Sequence, residues 1–324
     1  MGKQHYQELL CKSAAVITWY QQPSGAYPAS PYFAPYQYTW FRDGAFTADA
    51  MSRAGDISSA ERFFEWCSRV VLERRDGLYN GQLLNARYTY DGSEPSEENW
   101  AATQLDGYGV LLWAIKQHER RHERSIEKYK PLTDTLQWYL ETHWQEPCYD
   151  WWEERLGAHP ATLACVYAGL AAFGNPLAPE VRSHINVDNQ RVDASMLACV
   201  LFDAISKERV TELLSCVEAT LVSEVGGVYR YKDDTYYGGG EWPVLTALLG
   251  VCYVKTGRQD DARLKLEWCA RAMQGNGWLP EQVASQMLSP DTHRYWVERW
   301  GQPASPLLWS QAMMVILIDE YMKP

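Results

Sequence analysis

The sequence predicts an all-α protein, an (α/α)6 barrel of six inner and six outer helices. Three observations carry this. Nearly every periodic segment has the helical period, and no convincing strand ladder interrupts them. The helices are of two kinds, one amphipathic and one apolar nearly all round. The two kinds alternate along the chain. An amphipathic helix buries one stripe, whereas a helix apolar on all sides is buried on all sides. Alternation therefore gives a buried inner ring wrapped by an outer one.

The outer helices come from 3–20, 58–74, 124–144, 207–224 and 260–274. In "SSAERFFEWCSRVVLER", Phe63, Phe64, Cys67, Val70 and Val71 share one face and charges take the others. A short sixth fits near 177–185, after the "NPLAP" break. The inner helices come from 104–116, 161–174, 192–205, 241–257 and 306–321, with the more polar 42–54 in the remaining inner place. A solenoid of helix pairs would need a regular repeat. The inner helices start at uneven intervals, which favours a closed ring and a single domain over 1–324.

Composition narrows the function. The chain is 46% hydrophobic, enough for a large core, and its net charge of −11 argues against nucleic acid, whose phosphates need clustered Lys and Arg. The basic run "KQHERRHER" (116–124) also carries acids and reads as a solvated face or turn. No apolar run reaches the roughly 18 residues of a membrane span. The N-terminus lacks the pattern of a signal peptide, and eight scattered Cys show no CxxC pair. Free thiols and a cytoplasmic location are the expectation. Fifteen Trp and 21 Tyr against seven Phe suggest a flat, wet, stackable surface of the kind a sugar needs.

The unusual polar and aromatic residues collect just before each inner helix. "PYQYTWFRDG" (35–44), "SEENWAATQLD" (96–106), "CYDWWEER" (148–155), "NQRVDAS" (189–195), "YRYKDDTYYGGGEW" (229–242) and "GWLPEQ" through "SPLLWSQ" (277–311) are the six connections. In an alternating barrel they open at one rim. Glu153 lies in the third and Glu281 in the sixth, opposite each other in a six-fold ring. Opposed carboxylates around a Trp-lined, sugar-sized pocket suit glycoside hydrolysis: one protonates the leaving oxygen, the other takes a proton from water. Trp151 and Trp152 beside Glu153 supply the desolvation that raises an acid's pKa. Placement on opposite loops favours the wider, inverting geometry.

Arg42 and Asp43 stand adjacent at a helix start. They read equally as a grip on neighbouring sugar hydroxyls or as a helix cap with an ion pair. Arg230, Asp233 and Asp234 are similar. The triple glycine after them fits a close approach to ligand or a tight turn. Trp40, Trp152, Trp242 and Trp309 count with the substrate-binding residues of the rim. His159 and His293 are lone and read as structural. No metal motif is present and no cofactor is expected. That sets aside the terpene cyclases and prenyltransferases, which use Asp-rich magnesium sites or Asp/Cys/His zinc sites.

The motifs "YQYTWFRD", "NWAATQLDGYG", "YDWWEE", "RYKDDTYYGGGEW", "LPEQ" and "PLLWSQA" occur in this order over residues 27–318. In this the chain resembles the glucoamylases, family 15 of the glycoside hydrolases. The resemblance implies an (α/α)6 barrel and exo-acting, inverting release of β-glucose from non-reducing ends. It implies Glu153 as general acid and Glu281 as general base, an ordering that spacing does not give. It puts Glu154 against the aglycone sugar, Arg42 and Asp43 on the terminal glucose, and Tyr36 near the anomeric centre. It makes Trp100 a pocket wall and Arg230 a later substrate contact.

The chain departs from the family in having no room for an N-terminal β-sandwich or a starch-binding domain. Short α-gluco-oligosaccharides are then the expected substrates, rather than starch. The family also holds α-1,6-specific members and trehalases, so linkage stays open. A reading of another class is a non-catalytic sugar-binding protein on the same barrel.

Overall fold

A computed structural model describes residues 2–95 and 103–323. Its helices begin with α1 (Lys3–Tyr20), α2 (Phe41–Arg53), α3 (Ile57–Leu72), α4 (Arg75–Tyr79), α5 (Asp106–His122), α6 (Lys130–His143), α7 (Pro160–Ala172) and α8 (Ala178–Ser183). They continue with α9 (Leu197–Leu201), α10 (Lys207–Leu221), α11 (Pro243–Lys255), α12 (Gln259–Ala272), α13 (Pro290–Trp300) and α14 (Leu308–Met322). Among the described residues two antiparallel pairs of two-residue strands join them: β1 (Thr39–Trp40) with β2 (Arg87–Tyr88), and β3 (Cys148–Tyr149) with β4 (Leu156–Gly157). Among the described residues no helix is long and apolar enough to cross a membrane.

By its contacts the chain divides into two units. One holds Tyr20–Ala29 and Gln37–Asn186. In it α2, α5 and α7 pack side by side, with α3, α6 and α8 covering them. Helix α2 is buried from Phe41 to Ser52, including Arg42, Asp43, Thr47 and Asp49, which is why its sequence looks too polar for an inner helix. Helices α5 and α7 touch through backbone. A Cβ on Gly109 would lie 2.3 Å from the Cys165 carbonyl oxygen, and one on Gly169 would lie 2.5 Å from that of Gly109. Glycine is demanded here by space. Gly169→Val is expected to destabilise the fold by about 3 kcal/mol, read as a fall in the urea midpoint. An unchanged midpoint would show that the helices can part without loss.

The other unit holds Met1–Trp19, Ser30–Tyr36 and Val187–Pro324. Here α11 and α14 are the buried helices, over 243–253 and 308–318, with α12 packed against both. Tyr6 of α1 meets Tyr321 of α14 edge to face at 5.6 Å. The inner segment expected over 192–205 is shorter. A 3-10 turn at Ala194–Met196, capped by Asp193, leads into the five residues of α9, and Asp203 in left-handed backbone ends the segment. Helix α13 was not legible because none of its residues is fully buried: only Thr292, His293, Trp296 and Val297 are half-buried, on one face. The strands are too short to show an alternation.

Candidate active site

Each unit gathers one set of the expected site residues. In the unit of 37–186 the β1–β2 pair sets Trp40 opposite Arg87 just before α2 begins. The buried Arg87 guanidinium lies over the rings of Tyr38 (4.2 Å) and Trp40 (5.1 Å), which fixes the indole by cation–π attraction. The Trp40 indole N–H donates to Glu153 Oε1 at 2.6 Å.

Glu153 sits in the turn between β3 and β4. Asp150 builds that turn: its Oδ1 accepts from the amides of Glu154 (2.9 Å) and Arg155 (3.3 Å), and its carbonyl accepts from Glu153 N–H (3.1 Å). The turn forces Glu153 into left-handed backbone, φ 61. A bulky non-glycine residue there is strained, and such strain collects at functional sites.

Arg42, in the first turn of α2, ties the set together. It is buried and donates to Gln104 Oε1 at 3.2 Å and to Asp106 Oδ2 at 3.4 Å, with the Trp151 ring 5.5 Å away. Gln104 in turn donates to the Asp150 carbonyl. Burial works to lower the Arg42 pKa, but Asp106, Asp43 and Glu153 outweigh it and hold the guanidinium firmly charged.

Asp43 is buried and faces Arg42 at 3.5 Å, and its Oδ2 has no hydrogen-bond partner among the described residues. Burial raises its pKa to about 6, against the pull of Arg42. A buried carboxylate oxygen without a donor is prepared to accept a hydroxyl. Because the pKa is raised, Asp43 is ionised above pH 6 and loses its charge below it. Glucose affinity is expected to fall about tenfold between pH 7 and pH 5, as the ionised fraction drops to roughly a tenth. Calorimetric titrations at both values read this, and Asp43→Asn should flatten the dependence. The same slope in the variant would remove Asp43 from binding.

Trp152 is half-buried, edge-on to Trp151 at 6.4 Å. Glu154 is exposed next to Glu153, as a contact for a second sugar would be. Trp100, also expected here, lies outside the described residues.

In the other unit Tyr36 and Glu281 meet. Tyr36 donates its hydroxyl proton to Glu281 Oε1 at 2.8 Å, and the Tyr236 hydroxyl lies 3.1 Å from that of Tyr36. Tyr36 has one proton and gives it to the carboxylate, so Tyr236 is the donor to Tyr36. Burial and then the Glu281 charge raise both tyrosine pKa values, so both keep their protons. Glu281 is 1% exposed, and its amide donates to the Ala304 carbonyl at 2.8 Å.

Arg230 grips Asp234 through two hydrogen bonds of 2.6 and 2.7 Å, and its guanidinium lies about equally close to the rings of Tyr231, Tyr236 and Trp242 (5.2, 5.1 and 5.2 Å). Asp234 also accepts the Tyr236 amide at 2.9 Å. Asp233 is exposed and does not join them. Tyr237, Gly238 and Gly239 all have positive φ, so part of the glycine run serves a tight left-handed turn. Trp242 caps α11, and Trp309 is buried in the first turn of α14. His159 bonds the Arg155 carbonyl and adds a small pull on the Asp106 charge, and the His293 ring faces that of Tyr237.

Five residues here had no assigned role in the sequence reading: Arg87, Gln104, Asp106, Asp150 and Tyr236. Gln104 and Asp106 carried a signal, as polar groups at the head of an apolar helix. Tyr236 and Tyr237 are adjacent, and no pattern says which hydroxyl turns to Tyr36. Arg87 sits in a stretch with no period.

The model of the glycosyl hydrolases family 15 matches residues 3–188. The isomaltose glucohydrolase of Kribbella flavida is 37% identical over 358 residues, covering 97% of this chain and 92% of that protein. A solved wild-type glycosidase is similar with a TM-score of 0.92 and 36% identity, over 98% of this chain and 97% of the other. A variant glycosidase in complex with glucose gives the same figures. A bacterial glucoamylase complexed with acarbose is similar in fold, with a TM-score of 0.76 and 20% identity over 96% of this chain and 55% of the other. The fold class is the all-α (α/α)6 class that the alternating helices predict.

Proposed function

Because the chain belongs to family 15 of the glycosyl hydrolases, we propose that it is an exo-acting, inverting α-glucosidase of short α-gluco-oligosaccharides, with isomaltose-type α-1,6 disaccharides as its best substrates. Residues 1–324 act as one catalytic domain. Glu153 is the general acid and Glu281 the general base. Arg42, Asp43, Arg230 and the tryptophans bind the sugar, and Glu154 contacts the aglycone side. The observation that carries the reading is the company of the two carboxylates. Glu281 accepts a hydroxyl from Tyr36, backed by Tyr236, which favours the ionised form that a base requires. Glu153 accepts the neutral Trp40 indole N–H at Oε1, and the Arg42 guanidinium is near enough to interact with its charge. A proton on its other oxygen is compatible with that bond.

The mechanism follows from these roles. Glu153 gives its proton to the departing glycosidic oxygen while Glu281 takes one from a water attacking the anomeric carbon on the opposite face. The new C–O bond forms as the old one breaks, and β-glucose leaves. Linkage preference is supported by the identity to the isomaltose glucohydrolase. Eight free cysteines support a cytoplasmic setting, and the net charge of −11 supports a partnership with neutral sugars rather than nucleic acid.

The test is a panel of maltose, isomaltose, kojibiose, nigerose and trehalose, with proton NMR of the first glucose released. Fastest turnover of isomaltose with β-glucose first supports the proposal. Early α-glucose would overturn inversion, and trehalose as the best substrate would overturn the linkage. Calorimetric binding without hydrolysis of any disaccharide would favour a sugar-binding protein instead.

A further inference from the structure

Glu241 is a fully buried carboxylate, 0% exposed, that has no part in either set of site residues. It stands one residue before Trp242 and is engaged on all sides. Ser223 and Ser285 donate their hydroxyls to Oε1 and Oε2, and the Gly227 amide donates to Oε1 at 3.1 Å. Its backbone forms a two-way bridge with Val283: Glu241 N–H to the Val283 carbonyl at 3.0 Å, and Val283 N–H back at 2.8 Å. Gly240 N–H adds a bond to the Gln282 side chain at 3.0 Å.

Val283 lies two residues beyond Glu281, and Ser285 four. The near side of Glu281 is held separately. Its own amide binds Ala304, the Leu279 carbonyl accepts from Leu307 N–H, and the Pro280 carbonyl accepts from Ser310. The segment that carries Glu281 is irregular and has no helix or sheet of its own to fix it. Its far side rests on Glu241.

The site of this carboxylate is built for it. A Cβ on Gly227 would come 2.3 Å from Glu241 Oε1, so only glycine lets the backbone amide approach. The Lys265 ammonium binds the neighbouring Gly226 carbonyl at 2.8 Å and secures the same turn. Burying a carboxylate is costly unless its oxygens are satisfied, and a satisfied network fixes one geometry. Such an expense is out of proportion to joining two loops, but proportionate to aiming a catalytic group.

We propose that Glu241 is a positioning residue for Glu281. It clamps residues 282–285 to the Ser223–Gly227 turn and so sets the direction of the base carboxylate toward the attacking water. The inference rests on the reading of Glu281 as the base.

The test compares Glu241→Ala, Glu241→Gln and Ser285→Ala in the full chain, on the disaccharide that the wild-type enzyme turns over fastest. Misdirection of a base by about 1 Å costs up to roughly a hundredfold. Glu241→Ala is expected to lower kcat about 30-fold with KM within about twofold of wild type, because the Glu241 side chain bonds Ser223, Ser285 and Gly227 and none of the residues assigned to the sugar. Glu241→Gln keeps the length, one acceptor for Ser223 and a donor for Ser285, and should restore most of kcat. Ser285→Ala, which cuts one tether and leaves the carboxylate in place, should lower kcat several-fold, again at constant KM. Should Glu241→Ala not fold, the Gln and Ser285 variants carry the test. Unchanged kcat in folded Ala and Ser285 variants, or parallel losses in kcat and in affinity, would overturn the proposal. No turnover of any disaccharide by wild type would instead strike the hydrolase reading itself.

Discussion

Glu281→Gln is expected to lower kcat on the preferred disaccharide by about 10³–10⁴-fold while glucose still binds. The substitution keeps volume and shape. The amide oxygen can still accept the Tyr36 hydroxyl, so the neighbourhood of Tyr36 and Tyr236 stays in place. What is lost is basicity. An amide does not take a proton from water. Steady-state rates together with calorimetric titration of glucose check both halves. More than a tenth of wild-type kcat in the variant would move the base role elsewhere.

Glu153→Gln has an equally large expected effect, of a different kind. A glucosidic alkoxide is a poor leaving group and needs a proton, so disaccharide hydrolysis should fall about 10³-fold. An α-glucoside of an acidic phenol, or α-glucosyl fluoride, departs without one. On those substrates the variant should stay within about tenfold of wild type. The basic limb of the pH–rate profile, which reports ionisation of the acid, should also flatten. Glu281→Gln, in contrast, should be slow on every substrate. Equal losses of Glu153→Gln on good and poor leaving groups would refute the acid assignment.

How much of this was legible beforehand follows from what each signal measures. Periodicity reports burial, so the fully buried α11 and α14 and the one-sided α3 and α12 were readable, while α13, which only half-buries one face, was not. The polar clustering in the connections before the inner helices pointed to Arg42, Asp43, Arg230 and Glu281, all of them buried. It did not point to Arg87 or Glu241. Arg87 works by lying over two rings contributed from residues 38 and 40, and Glu241 by meeting hydroxyls 18 residues before and 44 residues after it. Contacts of that range leave no local trace. Nor did any pattern reveal that Asp150 is the keystone of the Glu153 turn, since an aspartate before two tryptophans looks the same whether its side chain faces solvent or its own backbone.

The left-handed backbone of Glu153 has a consequence for anyone selecting hardier versions of this enzyme. A glutamate at φ 61 costs on the order of 1 kcal/mol that glycine or asparagine would not. A screen that rewards heat resistance alone will therefore drift toward Gly or Asn at position 153, and its winners will be sturdy and inert. Screens of this protein should be gated on glucose release from the start, or should hold that codon fixed.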